Sequence, residues 1–157
     1  MGQMVIRPVR DEEYAGAMEL VWSVFLDCNA SGYSNEGVFN FRKFLTDETL
    51  YLRYREGEYP MFGFFDDKDE PKGVISLRNG NHISLLFVDR EYRNRGIGKR
   101  LLDYLCVYCR EYQEQVLITV NSSPYAVDFY RKYGFVDTDS EQESDGITYT
   151  PMEYVLL

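Results

Sequence analysis

The sequence predicts an α+β fold: a mixed, mostly antiparallel sheet of about seven strands flanked by about four helices. Three observations carry that expectation. Apolar residues recur at helical spacing in residues 11–26 and 96–111. Three short apolar runs, at 59–65, 73–77 and 82–88, are separated by turn residues and read as an antiparallel meander. A β-branched run at 116–120 follows the second helix, so it should return parallel to the third strand of the meander through a right-handed crossover.

The elements follow in order. Residues 4–9 alternate weakly around Pro8 and fit a short edge strand. In residues 11–26, Asp11 is the expected N-cap, acids fill the first turn, and Tyr14, Met18, Val21, Trp22 and Phe25 share one face. Residues 28–37, rich in Asn, Ser and Gly, read as a loop, and 36–45 as a second, shorter helix. Asn79-Gly80 marks a tight hairpin turn. Residues 82–88 hold Ser84 as the one polar position after His82, which predicts a central strand buried on both faces. Ser122 or Ser123 should cap a helix with Pro124 near its start and Tyr133 at its end, closed by Gly134. Residues 135–136 and 147–156 should be two closing strands joined by the acidic loop 137–146.

With 157 residues, one domain spanning 1–157 is expected. Hydrophobic residues make up 45% of the chain, too many for a disordered protein. No run approaches the ~18 apolar residues of a membrane span, and residues 1–8 lack the apolar centre of a secretion signal. The three cysteines are an odd number, so a reducing, cytoplasmic setting is expected rather than a disulfide scaffold. Cys106 and Cys109 have metal-site spacing but fall inside a helix with no second pair, so they read as core residues and no metal is expected.

The formal charge is −9, yet residues 90–100 hold Arg90, Arg93, Arg95, Lys99 and Arg100 against Glu91 alone. That segment carries +4, leaving −13 for the rest. So acidic a chain repels a nucleic-acid backbone, and neither nucleic acid nor a membrane is an expected partner. One basic segment on an acidic body suits a small anion held at one place, with cationic partners drawn elsewhere. The segment is a buried strand, a basic turn with two glycines, and a helix. Glycines permit positive φ and close approach, and successive N–H groups at a helix start hold anions, so residues 93–98 predict a phosphate or pyrophosphate cradle. Gly96 and Gly98 stand too close for a P-loop, and Leu101 replaces the third glycine of a dinucleotide fingerprint. Arg93-Asn94-Arg95-Gly96-Ile97-Gly98 instead fills every position of the acyl-CoA turn Arg/Gln-x-x-Gly-x-Gly/Ala.

On that turn, and on the segment Asn121 to Phe135 with its Asn…Ala…Phe-Tyr…Gly-Phe pattern, the chain resembles the GNAT superfamily of acyl-CoA-dependent N-acetyltransferases. The order of predicted elements resembles that fold across essentially the whole chain. The resemblance implies that the strands 82–88 and 116–120 splay and that the pantetheine arm of acetyl-CoA lies between them. Backbone groups of Leu86 and Val88 would pair with it, and an N–H near Phe87 or Val88 would polarise the thioester carbonyl. Arg93, Asn94, Arg95, Gly96, Ile97, Gly98 and Lys99 would hold the pyrophosphate, and Asn121 the pantetheine. Tyr130 would protonate the departing thiolate, while an amine attacks directly. His82, at the substrate end of its strand, would relay a proton from the amine; Glu36, Asp47 and Glu48 are alternatives. The acidic balance favours a cationic acceptor such as a polyamine, an amino sugar, a lysine side chain or a peptide N-terminus. The apolar strand 147–157 implies a possible homodimer. A non-catalytic acyl-CoA-binding module of the same fold is the alternative function. Ser122 and Ser123 have no His/Asp partner at a recognisable spacing and are not read as nucleophiles.

Overall fold

The computed structural model describes residues 4–156. Met1, Gly2, Gln3 and Leu157 lie outside the described residues, and with them the ends of the leader reading, the 1–157 domain and the 147–157 strand. Strand β1 (Val5–Pro8) leads through a 3-10 turn (Asp11–Glu13) into helix α1 (Tyr14–Cys28). Asp11 is not the cap. Glu13 instead accepts the Arg10 N–H at 2.9 Å while Arg7 grips its carboxylate at 2.8 Å, so the entry turn is fixed by an ion pair from β1. That pair holds the Glu13 carboxyl below its usual range.

Helix α2 (Asn35–Leu45) is capped by Ser34, whose hydroxyl accepts the Gly37 N–H at 3.1 Å. Helix α3 (Glu48–Arg55), absent from the sequence expectation, follows directly. It buries only Leu50, so its apolar period is faint; Asp47 caps it by accepting the Thr49 N–H, and Arg53 and Arg55 suit its last turn. Strands β2 (Met61–Phe65), β3 (Pro71–Arg78) and β4 (His82–Val88) form the expected meander. Its tight turn places Asn79 at φ 54° and Gly80 at φ 80°, both positive as a primed hairpin turn requires.

Helix α4 (Ile97–Tyr112), strand β5 (Leu117–Ser122) and helix α5 (Val127–Tyr133) come next, then β6 (Val136–Asp137), β7 (Gln142–Ser144) and β8 (Ile147–Val155). Helix α5 starts later than Ser122 or Ser123 implied. Ser122 is still strand, and Pro124 begins a turn closed by the Ala126 N–H on Ser123 O at 3.0 Å. Part of the acidic loop is itself β7, hairpinned onto β8. The count is therefore eight strands and five α-helices among the described residues, one more of each than expected.

The strands make one path, β1-β2-β3-β4-β5-β8-β6, antiparallel except for β4 against β5. Helix α4 covers one face with Leu101, Leu102 and Leu105, each fully buried and each worth roughly 1.5–3 kcal/mol. Helix α1 covers the other with Ala17 and Val21 against Phe65, Val74 and Leu85. The β4–β5 pairing covers only His82 with Thr119 and Ile83 with Val120. Beyond Ile83 the two strands part. Strand β4 is accordingly not buried on both faces: Ile83 and Leu85 are, while Leu86, Phe87 and Val88 stay half-buried beside the gap.

No described helix is long and apolar enough to cross a membrane.

Candidate active site

The parting of β4 and β5 opens a cleft of about 590 Å³. A bulge helps open it: Ser76 pairs with Leu85 and Leu77 with Ile83, so Ser84 is an extra residue with no partner on β3. Bulges re-aim side chains, and here Ser84 faces the cleft. Behind it, the Ser76 hydroxyl donates to Tyr59 Oη at 3.0 Å and Tyr59 donates to Ser84 Oγ at 2.7 Å.

At the far end of β4 the chain turns into α4. Asn94 has φ 61°, and Gly96, the N-cap, has φ 75°. A side chain at Gly96 would meet nothing within 4 Å, whereas one at Gly98 would press on the Phe129 ring at 3.3 Å. The backbone is thus bare at one glycine and closely approached at the other, and the first N–H groups of a 16-residue helix face this opening with the positive end of its dipole. Arg93 and Lys99 line the cleft and add cationic charge. Arg93 also reaches the Cys28 thiol and lies 5.7 Å from the Tyr125 ring centre, which ties the turn to the end of α1. A bare cradle with two cations fits an acyl-CoA pyrophosphate, and the unpaired edge of β4 leaves room for an extended arm.

Of the residues singled out from sequence, Leu86, Phe87, Val88, Arg93, Asn94, Gly96, Ile97, Gly98, Lys99, Asn121 and Tyr130 all line this one cleft. Two do not. Arg95 turns away and lies over the Tyr92 ring at 5.0 Å. His82 sits one residue short of the lining, bonded through Nδ1 to Thr119 Oγ1 at 2.8 Å; burial lowers its pKa to about 4. Glu36, Asp47 and Glu48 are exposed on α2 and α3 and do not reach the cleft. Tyr130 is 3% exposed, and burial pushes its phenol well above the usual range, so at neutral pH it holds its proton. Cys106 and Cys109 face the core of α4, with burial raising the Cys109 thiol to about 12; no metal-like cluster occurs among the described residues.

Of the opposite wall, only Phe87 was read from sequence as part of a site. Phe25 of α1 stacks on Phe41 of α2 at 4.3 Å, Tyr33 meets Phe25 edge-on at 5.1 Å, and Phe41 lies 6.0 Å from Phe87 of β4. Asn29 ties this wall to the other by donating from Nδ2 to Ser123 Oγ at 3.0 Å, across 94 residues of sequence. For the rest the sequence signal was the helical spacing of Phe25 and Phe41, which equally marks core positions. The acidic body stays outside: among the described residues no Asp, Glu or His lines the cleft.

A family model described as an acetyltransferase (GNAT) domain matches residues 29–156. A peptidyl-lysine N-acetyltransferase, YjaB, of Salmonella typhimurium is 34% identical over 89 residues, 56% of this chain and 58% of that protein. Its Escherichia coli counterpart is 30% identical over 88 residues, 56% of this chain and 57% of that protein. The match thus spans little more than half the length of either relative. Among solved structures, a GCN5-related N-acetyltransferase from Rhodopseudomonas palustris superposes with a TM-score of 0.82 at 23% identity, covering 99% of this chain and 97% of its own. The PaiA N-acetyltransferase from Thermoplasma acidophilum, solved with coenzyme A, gives 0.78 at 21%, covering 98% and 99%. Both are likenesses of fold.

Proposed function

The chain belongs to the GNAT acetyltransferase family, and on that premise we propose that it moves the acetyl group of acetyl-CoA directly to an amine. One observation carries this reading above the others: the glycine-opened start of α4 lies at the mouth of the gap between β4 and β5, in one cleft with Tyr130. Acetyl-CoA supplies an activated thioester carbonyl. The rest is assigned to this chain. Helix α4 and Arg93, Asn94, Gly96, Gly98 and Lys99 bind the pyrophosphate. Leu86 and Val88 hold the arm along the free edge of β4, and Asn121 faces them from β5. A backbone N–H at Phe87 or Val88 stabilises the developing oxyanion; losing such a donor typically costs about 10²–10³ in rate. Tyr130, protonated at neutral pH, is positioned to give its proton to the leaving sulfur.

The two relatives are named for peptidyl-lysine as acceptor. A lysine ammonium is a cation, and the lining offers it neither a carboxylate partner nor a base. The non-catalytic alternative gains nothing from the site, since Tyr130 lines the cleft that the cradle opens.

Thermal unfolding with acetyl-CoA, against ATP and NAD, tests the reading. At 100 times its Kd a ligand adds about 2.7 kcal/mol, which at this size raises Tm by about 5–10 °C. The rise should be selective for acetyl-CoA and vanish in Gly98→Val, whose side chain would press on Phe129 and Val88 in the cleft lining. An equal response to ATP, or no response, refutes it.

A further inference from the structure

We propose that the acceptor is a weakly basic amine on an aromatic frame, an arylamine, taken into the cleft uncharged. The inference rests on the acetyl-transfer reading and names the acceptor class within it.

The first support is the wall that faces the cradle. Tyr33, Phe41 and Phe87, each half-buried, present aromatic surface that is backed and joined by the fully buried Phe25. Aromatic acceptors gain from offset or edge-on contact with such a surface. A cation would need open ring faces. Here Phe25 and Phe41 are stacked on one another at 4.3 Å and 28°, and Phe87 lies tilted against Phe41 at 6.0 Å. An ammonium moved against this wall would lose its water with no carboxylate to replace it.

The second support is proton balance. When a neutral amine reacts, the carbon–nitrogen bond forms, the carbon–sulfur bond breaks, nitrogen releases one proton and sulfur takes one. Tyr130 gives the sulfur its proton and is refilled by the one leaving nitrogen, so no proton need leave the cleft. An ammonium must release one proton more, before it can attack. Among the described residues no Asp, Glu or His lines the cleft to receive it. His82 is engaged by Thr119, and the polar chain behind Ser84 consists of the Tyr59 and Ser76 hydroxyls, with no carboxylate or imidazole to take up a proton. None of these hydroxyls is basic enough to hold the extra proton of an ammonium. An arylamine meets these conditions because delocalisation of its lone pair leaves it neutral at neutral pH. A lysine side chain, with a pKa of about 10.4, is neutral in only about one molecule in a thousand.

The test compares p-anisidine with N-acetyl-lysine methylamide as acceptors for the intact protein, following thiol release from acetyl-CoA. The expected kcat/KM for p-anisidine exceeds that for the lysine amide by about 10²-fold or more, the scale on which an absent general base is felt. Its profile should be flat from about pH 6.5 to about pH 9, whereas a lysine acceptor would gain about tenfold per pH unit. Phe41→Leu should raise KM for p-anisidine about 3–10-fold with acetyl-CoA affinity unchanged. Equal or better use of the lysine amide overturns the assignment. So does binding of acetyl-CoA, seen by thermal shift, without acetylation of p-anisidine, an outcome that leaves the acetyl-CoA reading standing. Failure to bind acetyl-CoA removes both.

Discussion

The wall that holds Arg93, Asn94, Gly96 and Gly98 is built from consecutive residues, whereas the facing wall gathers Phe25, Tyr33, Phe41 and Phe87 from separate elements. The first works mainly through backbone: a left-handed turn, bare N–H groups and a helix dipole. Its geometry is local, so it survives in a stretch of six residues. The second works through side chains whose relation depends on α1, α2 and β4 packing together. That packing is fastened by contacts of long reach: Asn29 on Ser123, Ser34 N–H on Gly146 O at 3.3 Å, and Asn40 on Asp145 O at 3.2 Å. The turn between β7 and β8 thus latches the N-terminus of α2, and with it the aromatic wall. The two walls meet through Asn29 on Ser123 and Arg93 on Cys28, and substitutions on each side test how far one can be changed without the other.

Tyr130→Phe should give the largest effect and confine it to chemistry. A fall of about 10²–10⁴ in kcat is expected, with acetyl-CoA affinity held within about twofold in a titration. Unaltered turnover would take Tyr130 out of the mechanism.

Gly37→Ala probes the acceptor wall alone. Gly37 lies so close to Gly146 that an added Cβ would collide with the carbonyl oxygen, so either α2 or the β7–β8 turn must shift. Overpacking of this kind costs about 1–3 kcal/mol in urea unfolding. Acceptor KM should rise while the thermal shift from acetyl-CoA persists. If both ligands weaken together, the walls are not separable.

His82→Gln should have the smallest effect on turnover, within about twofold, because the imidazole lies outside the cleft lining and is bonded to Thr119. Its effect on stability depends on pH. The folded pKa, about 4, lies below the unfolded value of about 6.5, so the unfolded chain takes up a proton first. His82 therefore adds nothing unfavourable above about pH 6.5, and it weakens the fold as the pH falls from there towards about 4. Urea titrations should show part of that acid loss removed in the variant; identical pH dependence would mean the ring is not desolvated.

The meander, the parallel return of β5 and the α4 cradle were all legible because each is written in short-range pattern: Asn79-Gly80, a β-branched run, two glycines after a buried strand. Helix α3 was not, since with Leu50 as its single buried residue it leaves almost no period. The late start of α5 escaped because Ser122 and Ser123 offered two cap positions, and the strand pairing of Ser122 with Thr150 claimed one of them. Ser84 was visible only as a polar interruption; that it is a bulge follows from the register of β3 against β4. The expected buried central strand failed for the same reason that the site exists. Apolar residues at Leu86 to Val88 look alike whether a neighbouring strand or a ligand is to cover them.

By itself the sequence determined the fold class, the basic turn with two glycines and the placing of Tyr130 on the helix that follows the fifth strand, because these depend on backbone preferences and apolar spacing within short windows. The tertiary structure alone decided which charges reach the cleft. It turned Arg95 and His82 aside, kept the acidic body outside, and assembled an aromatic wall from residues that composition counts as core. The reason is physical. A side chain's role is set by the dielectric and the partners that packing places around it, and those partners lie as many as 94 residues away in the chain.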